Sequence, residues 1–298
     1  AISDRSWSWR FPSSDCSRKG KASCARLVQT NRLDNPRELD DAYANAAYIP
    51  EADTFPPRWS ERAAAFRAAL SGADRAQLDT VYGPTERQRF DLFRPVGDPR
   101  GLCVFVHGGY WLRFDKSYWS HLAQGPLAKG WAVAMPSYDL CPDVRIADIT
   151  WQIAKAIETA AQGIPGPIAL AGHSAGGHLV ARMCVPGVLE TQVAARMTHV
   201  IPISPVADLR PLLKTSMNEK FGLDPRAAQA ESPVLMQPMD VPVTVWVGGN
   251  ERPAFLDQVC FLAEAWDCRH VVVPDRHHFD VIDALADPAS PMVAALTA

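Results

Sequence analysis

Apolar positions recur along this chain in two periods. Residues 58–70 (RWSERAAAFRAAL) set Trp59, Ala63, Phe66 and Leu70 three and four apart, the spacing of one buried helix face. Residues 88–94 (QRFDLFR) alternate like a strand and stop at Pro95. Residues 101–106 (GLCVFV) form an unbroken apolar run, the pattern of a strand covered on both faces. Comparable runs lie at 131–135, 168–171, 199–203, 243–247 and 270–273, with helical stretches between them, notably 146–161 and 177–184. Strands alternating with helices predict an α/β fold, a mostly parallel central sheet with helices on both faces. In such sheets ligands bind beyond the carboxyl ends of the strands, so chemistry is expected just after each run.

The chain has 298 residues, 47% hydrophobic and 21% charged, enough for one large domain and incompatible with a wholly disordered chain. A formal net charge of −3 gives no reason to expect a nucleic acid partner. No apolar run approaches the roughly 20 residues of a membrane span. The seven cysteines (16, 24, 103, 141, 184, 260 and 268) are odd in number and form no CxxC pair. Several sit inside apolar runs and read as small buried residues, so a reduced, cytoplasmic protein is expected. Residues 1–40 differ from the rest. They hold eight Lys/Arg against five Asp/Glu, a net of +3, which leaves −6 for residues 41–298. They read as a poorly ordered extension or an expression artefact, ahead of a single domain over 41–298.

Gly172-His173-Ser174-Ala175-Gly176 lies directly after the run IALA and directly before the helical GHLVARM. A serine in a tight strand-to-helix turn is exposed at the helix amino end, and small flanking residues let the backbone bend. His107-Gly108-Gly109-Tyr110-Trp111 follows the strand GLCVFV. Acyl transfer needs backbone N–H groups fixed around a developing oxyanion, and two glycines let them point into a cavity. The expected donors are the amides of Gly109 and Tyr110 (or Gly108), with that of Ala175. His107 is expected to pin the loop, not to act as a base.

A serine nucleophile needs a base and an orienting acid, in the order Ser, acid, His for this architecture. His277 and His278 alone follow the last expected strand, and His278, abutting Phe279, is preferred as the base. His270 lies at the wrong strand end, and His121, His173, His178 and His199 read as structural or surface residues. For the acid, Glu251 is the first carboxylate beyond the run 243–247, with Asp257 and Asp208 as alternatives. A metal site built from His107, His277 and His278 finds no HxH or HExxH pattern, so neither a metal nor an organic cofactor is expected.

With these motifs, the chain resembles the α/β-hydrolase superfamily, and within it the branch of kynurenine formamidase (arylformamidase) and the hormone-sensitive-lipase-like esterases. The resemblance rests on HGGYW at 107–111, GHSAGG at 172–177, GGNERPAF at 248–255, HHF at 277–279 and the segment Tyr138-Asp139-Leu140-Cys141-Pro142. Trp111 tips it toward formamidases, because lipase-like relatives usually carry a third glycine in that loop. It spans roughly residues 50–298 and implies Ser174 as nucleophile, Glu251 as acid and His278 as base. The family more often has Asp at the acid position, so Glu251 is a departure.

The reaction expected is hydrolysis of a small-molecule ester or amide through an acyl-serine intermediate, with no nucleic acid or membrane partner and a homodimer as the candidate assembly. Resemblance suggests an aryl formamide of the N-formylkynurenine type. A general small-acyl or aryl carboxylesterase or amidase is the alternative, and a non-catalytic hydrolase-fold binding protein a remote one. Tyr110, Trp111, Phe114, Tyr118 and Trp119 cluster after the oxyanion loop, and Trp111 and Tyr110 are the candidate pocket residues. A helix-prone segment at 209–223 is expected to form a small helical cap.

Overall fold

The computed structural model describes residues 35–298. Eight strands form one sheet: β1 (Ala76–Val81), β2 (Arg89–Phe93), β3 (Leu102–Val106), β4 (Ala132–Pro136), β5 (Ile168–His173), β6 (Met197–Ile203), β7 (Thr244–Gly248) and β8 (Arg269–Val273). Their spatial order is β1-β2-β4-β3-β5-β6-β7-β8. β2 pairs antiparallel with both its neighbours, and all other pairings are parallel. Strands β3, β4 and β5 are buried at every residue, which is why their sequences are unbroken apolar runs.

Alternate residues of these strands serve two separate cores, one on each face of the sheet. Leu102, Val104, Val106 and Leu170 belong to the first, with Ile149 and Ile153 of helix Ile146–Gln162 and Phe255 and Leu262 of helix Pro253–Ala265. Cys103, Phe105, Ala169 and Ala171 belong to the second, with Trp59 and Leu70 of helix Phe55–Gly72 and Met292 and Leu296 of helix Pro291–Leu296.

The chain moves outward from β3 to β4, then crosses back to β5 on the other side of β3. Winding therefore reverses between β3 and β5, and the ends of these two strands meet, Val106 opposite Gly172. The HGGYW loop and the GHSAG turn leave the sheet side by side for that reason.

Two features depart from the expectations above, and the segment expected as a cap takes a definite form. Strand β1 was not legible: its sequence AQLDTV is polar, and it lies on the sheet edge with most positions exposed. The boundary expected at residue 40 falls inside helix Pro36–Ala42, whose Leu39 is 1% exposed and part of the core. The helix is started by Asn35, which accepts a hydrogen bond from Arg37 N–H at 3.0 Å, with Pro36 at its first position. The rest of the expected extension, residues 1–34, lies outside the described residues. The segment 209–223 folds into a 3-10 turn, Arg210–Lys214, and a short helix, Asn218–Phe221. Among the described residues no helix is long and apolar enough to cross a membrane.

Candidate active site

Ser174 occupies the turn between β5 and helix Ala175–Arg182 at φ 56° and ψ −115°, a backbone conformation costly for any residue with a side chain. Its N–H donates to the Ile203 carbonyl of β6 at 2.8 Å, which anchors the turn to the neighbouring strand. Gly176 lets the helix start against the end of β3: a Cβ there would stand 2.0 Å from the Val106 carbonyl oxygen. Ala175 opens this helix, where first-turn N–H groups have no acceptor within the helix.

Glu251 sits in the turn after β7, and its carboxylate is fully buried. Oε2 lies 2.6 Å from His278 Nδ1, while Oε1 accepts from the Ser204 hydroxyl at 2.5 Å and from Gly248 N–H at 2.8 Å. The loop carrying His278 is zipped to the loop carrying Glu251. Gly249 N–H donates to the Val273 carbonyl at 2.8 Å and Asn250 N–H to the Arg276 carbonyl at 2.9 Å. His278 is 3% exposed, its ring packed against Phe255 (centroids 4.4 Å apart) and His173 (4.6 Å). Burial drives the His173 ring well below the usual imidazole range, so it packs on His278 as a neutral group.

The HGGYW loop turns beside Ser174: a Cβ on Gly108 would stand 3.0 Å from Ser174 Cβ. His107 is buried between Trp119 and Tyr138, with near-parallel rings at 5.4 Å and 4.3 Å. Its Nδ1 lies 2.7 Å from the Gly108 carbonyl oxygen and donates to it. Burial lowers its pKa to about 4, so the ring is neutral near pH 7, and Tyr138 O–H donates to its carbonyl at 2.9 Å.

A cavity of about 800 Å³ joins these pieces. Ser174, His278, His173, Gly108, Gly109 and Tyr110 form its floor. Trp59, Phe114, Trp119 and Phe279 supply aromatic wall, and its charged groups are Asp40, Glu51, Asp53 and Arg113. Among the described residues no group of three or more His, Cys, Asp or Glu side chains is gathered as a metal ion would require.

Residues 103–253, half of the chain, match the family model of the alpha/beta hydrolase fold. The chain belongs to the α/β-hydrolase family. The kynurenine formamidase of Danio rerio is 27% identical over 267 residues, covering 80% of this chain and 90% of that protein. The Drosophila melanogaster kynurenine formamidase is 32% identical over 207 residues, 66% of this chain and 65% of that protein. A crystal structure from Silicibacter sp. TM1040, described provisionally as a thioesterase, is 64% identical with a TM-score of 0.86, covering 88% of this chain and 99% of that one. These relatives put the hydrolase in the branch of the formamidases and lipase-like esterases, and the protein is an enzyme of the hydrolase class.

The hydrolase brings Ser174, Glu251 and His278 to one buried site and leaves the other candidates elsewhere. Asp208 forms a two-point ion pair with Arg210 at 2.9 and 2.7 Å. Asp257 is buried on helix Pro253–Ala265, and the Nδ1 of His278 is held by Glu251. His277 turns away, its Nδ1 3.2 Å from Asp280 and its ring edge-on to Phe55. Trp111 does not line the cavity. It is fully buried, edge-on to His178 at 5.2 Å and Phe221 at 5.7 Å, because the left-handed backbone at Tyr110 and Trp111 turns the indole into the core. Tyr110 does reach the cavity, and its hydroxyl donates to the Tyr43 carbonyl at 2.6 Å.

Two groups escaped the sequence reading. Ser204, at the carboxyl end of β6, supports Glu251; its place just after an apolar run was a usable signal. The roof of the cavity comes mostly from residues 40–59, while the segment 209–223 contributes Ser216 and Met217. Asp40 ties the two together, accepting from Ser216 N–H at 2.7 Å and its hydroxyl at 3.0 Å.

Proposed function

We propose that this hydrolase cleaves a small aryl formamide of the N-formylkynurenine type through an acyl-enzyme on Ser174. The observation that carries the reading is the buried Glu251–His278 contact of 2.6 Å, sharing one cavity with Ser174 beside the Gly108–Gly109 loop. Glu251 holds the Nδ1–H of His278 and so leaves Nε2 free to accept a proton. His278 takes the Ser174 hydroxyl proton as the oxygen attacks the formyl carbon. The backbone N–H groups of Ala175 and of the loop Gly108, Gly109 and Tyr110 receive the oxyanion. Collapse breaks the C–N bond, and His278 returns the proton to the departing arylamine. Water, activated by the same imidazole, then hydrolyses the formyl-serine to formate and free Ser174.

The names of the Danio and Drosophila relatives support the formamide, and the aromatic wall suits an aryl leaving group. The charge of the cavity argues against a polyanionic thioester, since three carboxylates face one guanidinium. A broader aryl or small-acyl carboxylesterase is the second reading, favoured by a cavity of about 800 Å³ that exceeds what a formyl group needs. The test is kcat/KM on N-formylkynurenine beside p-nitrophenyl acetate and butyrate. A tenfold or greater preference for the formamide, about 1.4 kcal/mol of transition-state discrimination, is the expected result. Ester turnover without formamide cleavage would make the enzyme a carboxylesterase.

A further inference from the structure

The loop that presents the oxyanion donors is unusually strained. Gly109, Tyr110, Trp111 and Phe114 all have positive φ (115°, 55°, 55° and 72°), three of them with side chains. Such backbone persists only where the surroundings over-determine it. The first half of the loop is held by Trp111 in the core and by Cys141 N–H donating to the Trp111 carbonyl at 2.8 Å. The second half has polar restraints on its outer side. Arg87, just before β2, donates from Nε to the Tyr138 carbonyl at 2.7 Å and from its terminal nitrogen to the Phe114 carbonyl at 2.5 Å. Tyr138 in turn holds the His107 carbonyl through its hydroxyl. One residue beyond Asp115, Lys116 N–H donates to the Ser137 hydroxyl at 3.0 Å, and its ammonium lies 2.7 Å from Asp91 of β2, which is 1% exposed.

We propose that Arg87 is a positioning residue for the oxyanion loop, joining Phe114 and Tyr138 through one planar guanidinium, with the Asp91–Lys116 pair fixing the same loop to β2. This inference rests on the reading of Ser174 given above. Two carbonyls from different loops bonded by two nitrogens of one rigid fork is a geometry that a lysine ammonium does not reproduce. Releasing the fork lets the strained loop relax and moves its donors off the oxyanion. Those donors act chiefly in the transition state, so the loss falls on kcat rather than on KM.

The experiment compares wild type, Ser174→Ala, Arg87→Ala and Arg87→Lys on p-nitrophenyl acetate. Arg87→Ala is expected to lower kcat about 10- to 100-fold with KM within about threefold, less than the full loss of an oxyanion donor. Millimolar guanidinium ion should restore part of that activity and leave wild type unchanged, because a cavity of about 400 Å³ opens onto the Arg87 site. Arg87→Lys should stay impaired. A second variant, Asp91→Asn with Lys116→Met, removes both buried charges together and should show the same kcat-selective loss. Unchanged kcat in both variants, or a loss carried by KM and insensitive to guanidinium, would overturn the proposal. Turnover that survives Ser174→Ala would instead overturn the reading of the site.

Discussion

Glu251 meets three donors with two oxygens: Ser204 O–H and Gly248 N–H converge on Oε1, and His278 takes Oε2. A neutral amide cannot face donors on both sides, so Glu251→Gln should misorient the imidazole and lower kcat by about 10³- to 10⁴-fold, measured under substrate saturation. Near-normal kcat there would remove Glu251 from the acid role. Ser204→Ala strips one of the two bonds that aim the carboxylate. It should cost roughly tenfold in kcat, the scale of one charge-assisted hydrogen bond, at unchanged KM. Trp111, by contrast, is a core residue. Its truncation to Ala should lower the free energy of unfolding by about 3–5 kcal/mol in urea titrations. A Trp111→Ala protein of ordinary stability with a raised KM would return that residue to the pocket.

The roof of the cavity is an element with its own latch. Arg252, next to Glu251, donates to the Asp41 carboxylate at 2.6 Å and its carbonyl at 3.1 Å, and its guanidinium lies 3.5 Å from the Tyr48 ring centroid. Arg252→Ala should loosen residues 36–54, raising KM for bulky aryl substrates about three- to tenfold and speeding proteolytic cleavage in that segment. Equal KM and equal cleavage rates would assign the roof's stability to its apolar contacts alone. This element was illegible in the sequence for a physical reason. Residues 43–50 (YANAAYIP) carry no period, and their shape comes from partners more than sixty residues away, Tyr110 and Arg252 among them. The central strands were legible because burial on both faces writes itself as an apolar run, whereas edge strand β1 had only one neighbour to pair with. Trp111 shows the limit of motif reading. Its place beside the glycines was visible, but which way its ring turns is set by φ values that the sequence does not display.

At the scale of the whole molecule, burial of neutral imidazoles makes stability depend on pH. Burial lowers the pKa of His107, His121 and His178 to about 4 each, and that of His173 well below its ordinary value. The unfolded chain, with imidazoles near 6.5, binds protons that the folded protein refuses. The stabilising contribution is therefore complete above about pH 6.5 and is lost as pH falls toward about 4. Urea midpoints should decline across that window, and a flat profile would mean these rings take up protons without unfolding. The sheet topology brings Ser174, Glu251 and His278 to the carboxyl edge of the parallel strands β5, β7 and β8, and the proposed chemistry would converge on the Ser174 oxygen. The decisive measurement is mass spectrometry of the protein quenched in acid during turnover of p-nitrophenyl butyrate. A single butyryl group on the peptide carrying Ser174, absent from Ser174→Ala, is the expected result. An acyl group on another residue, or sustained turnover by Ser174→Ala, would contradict the account.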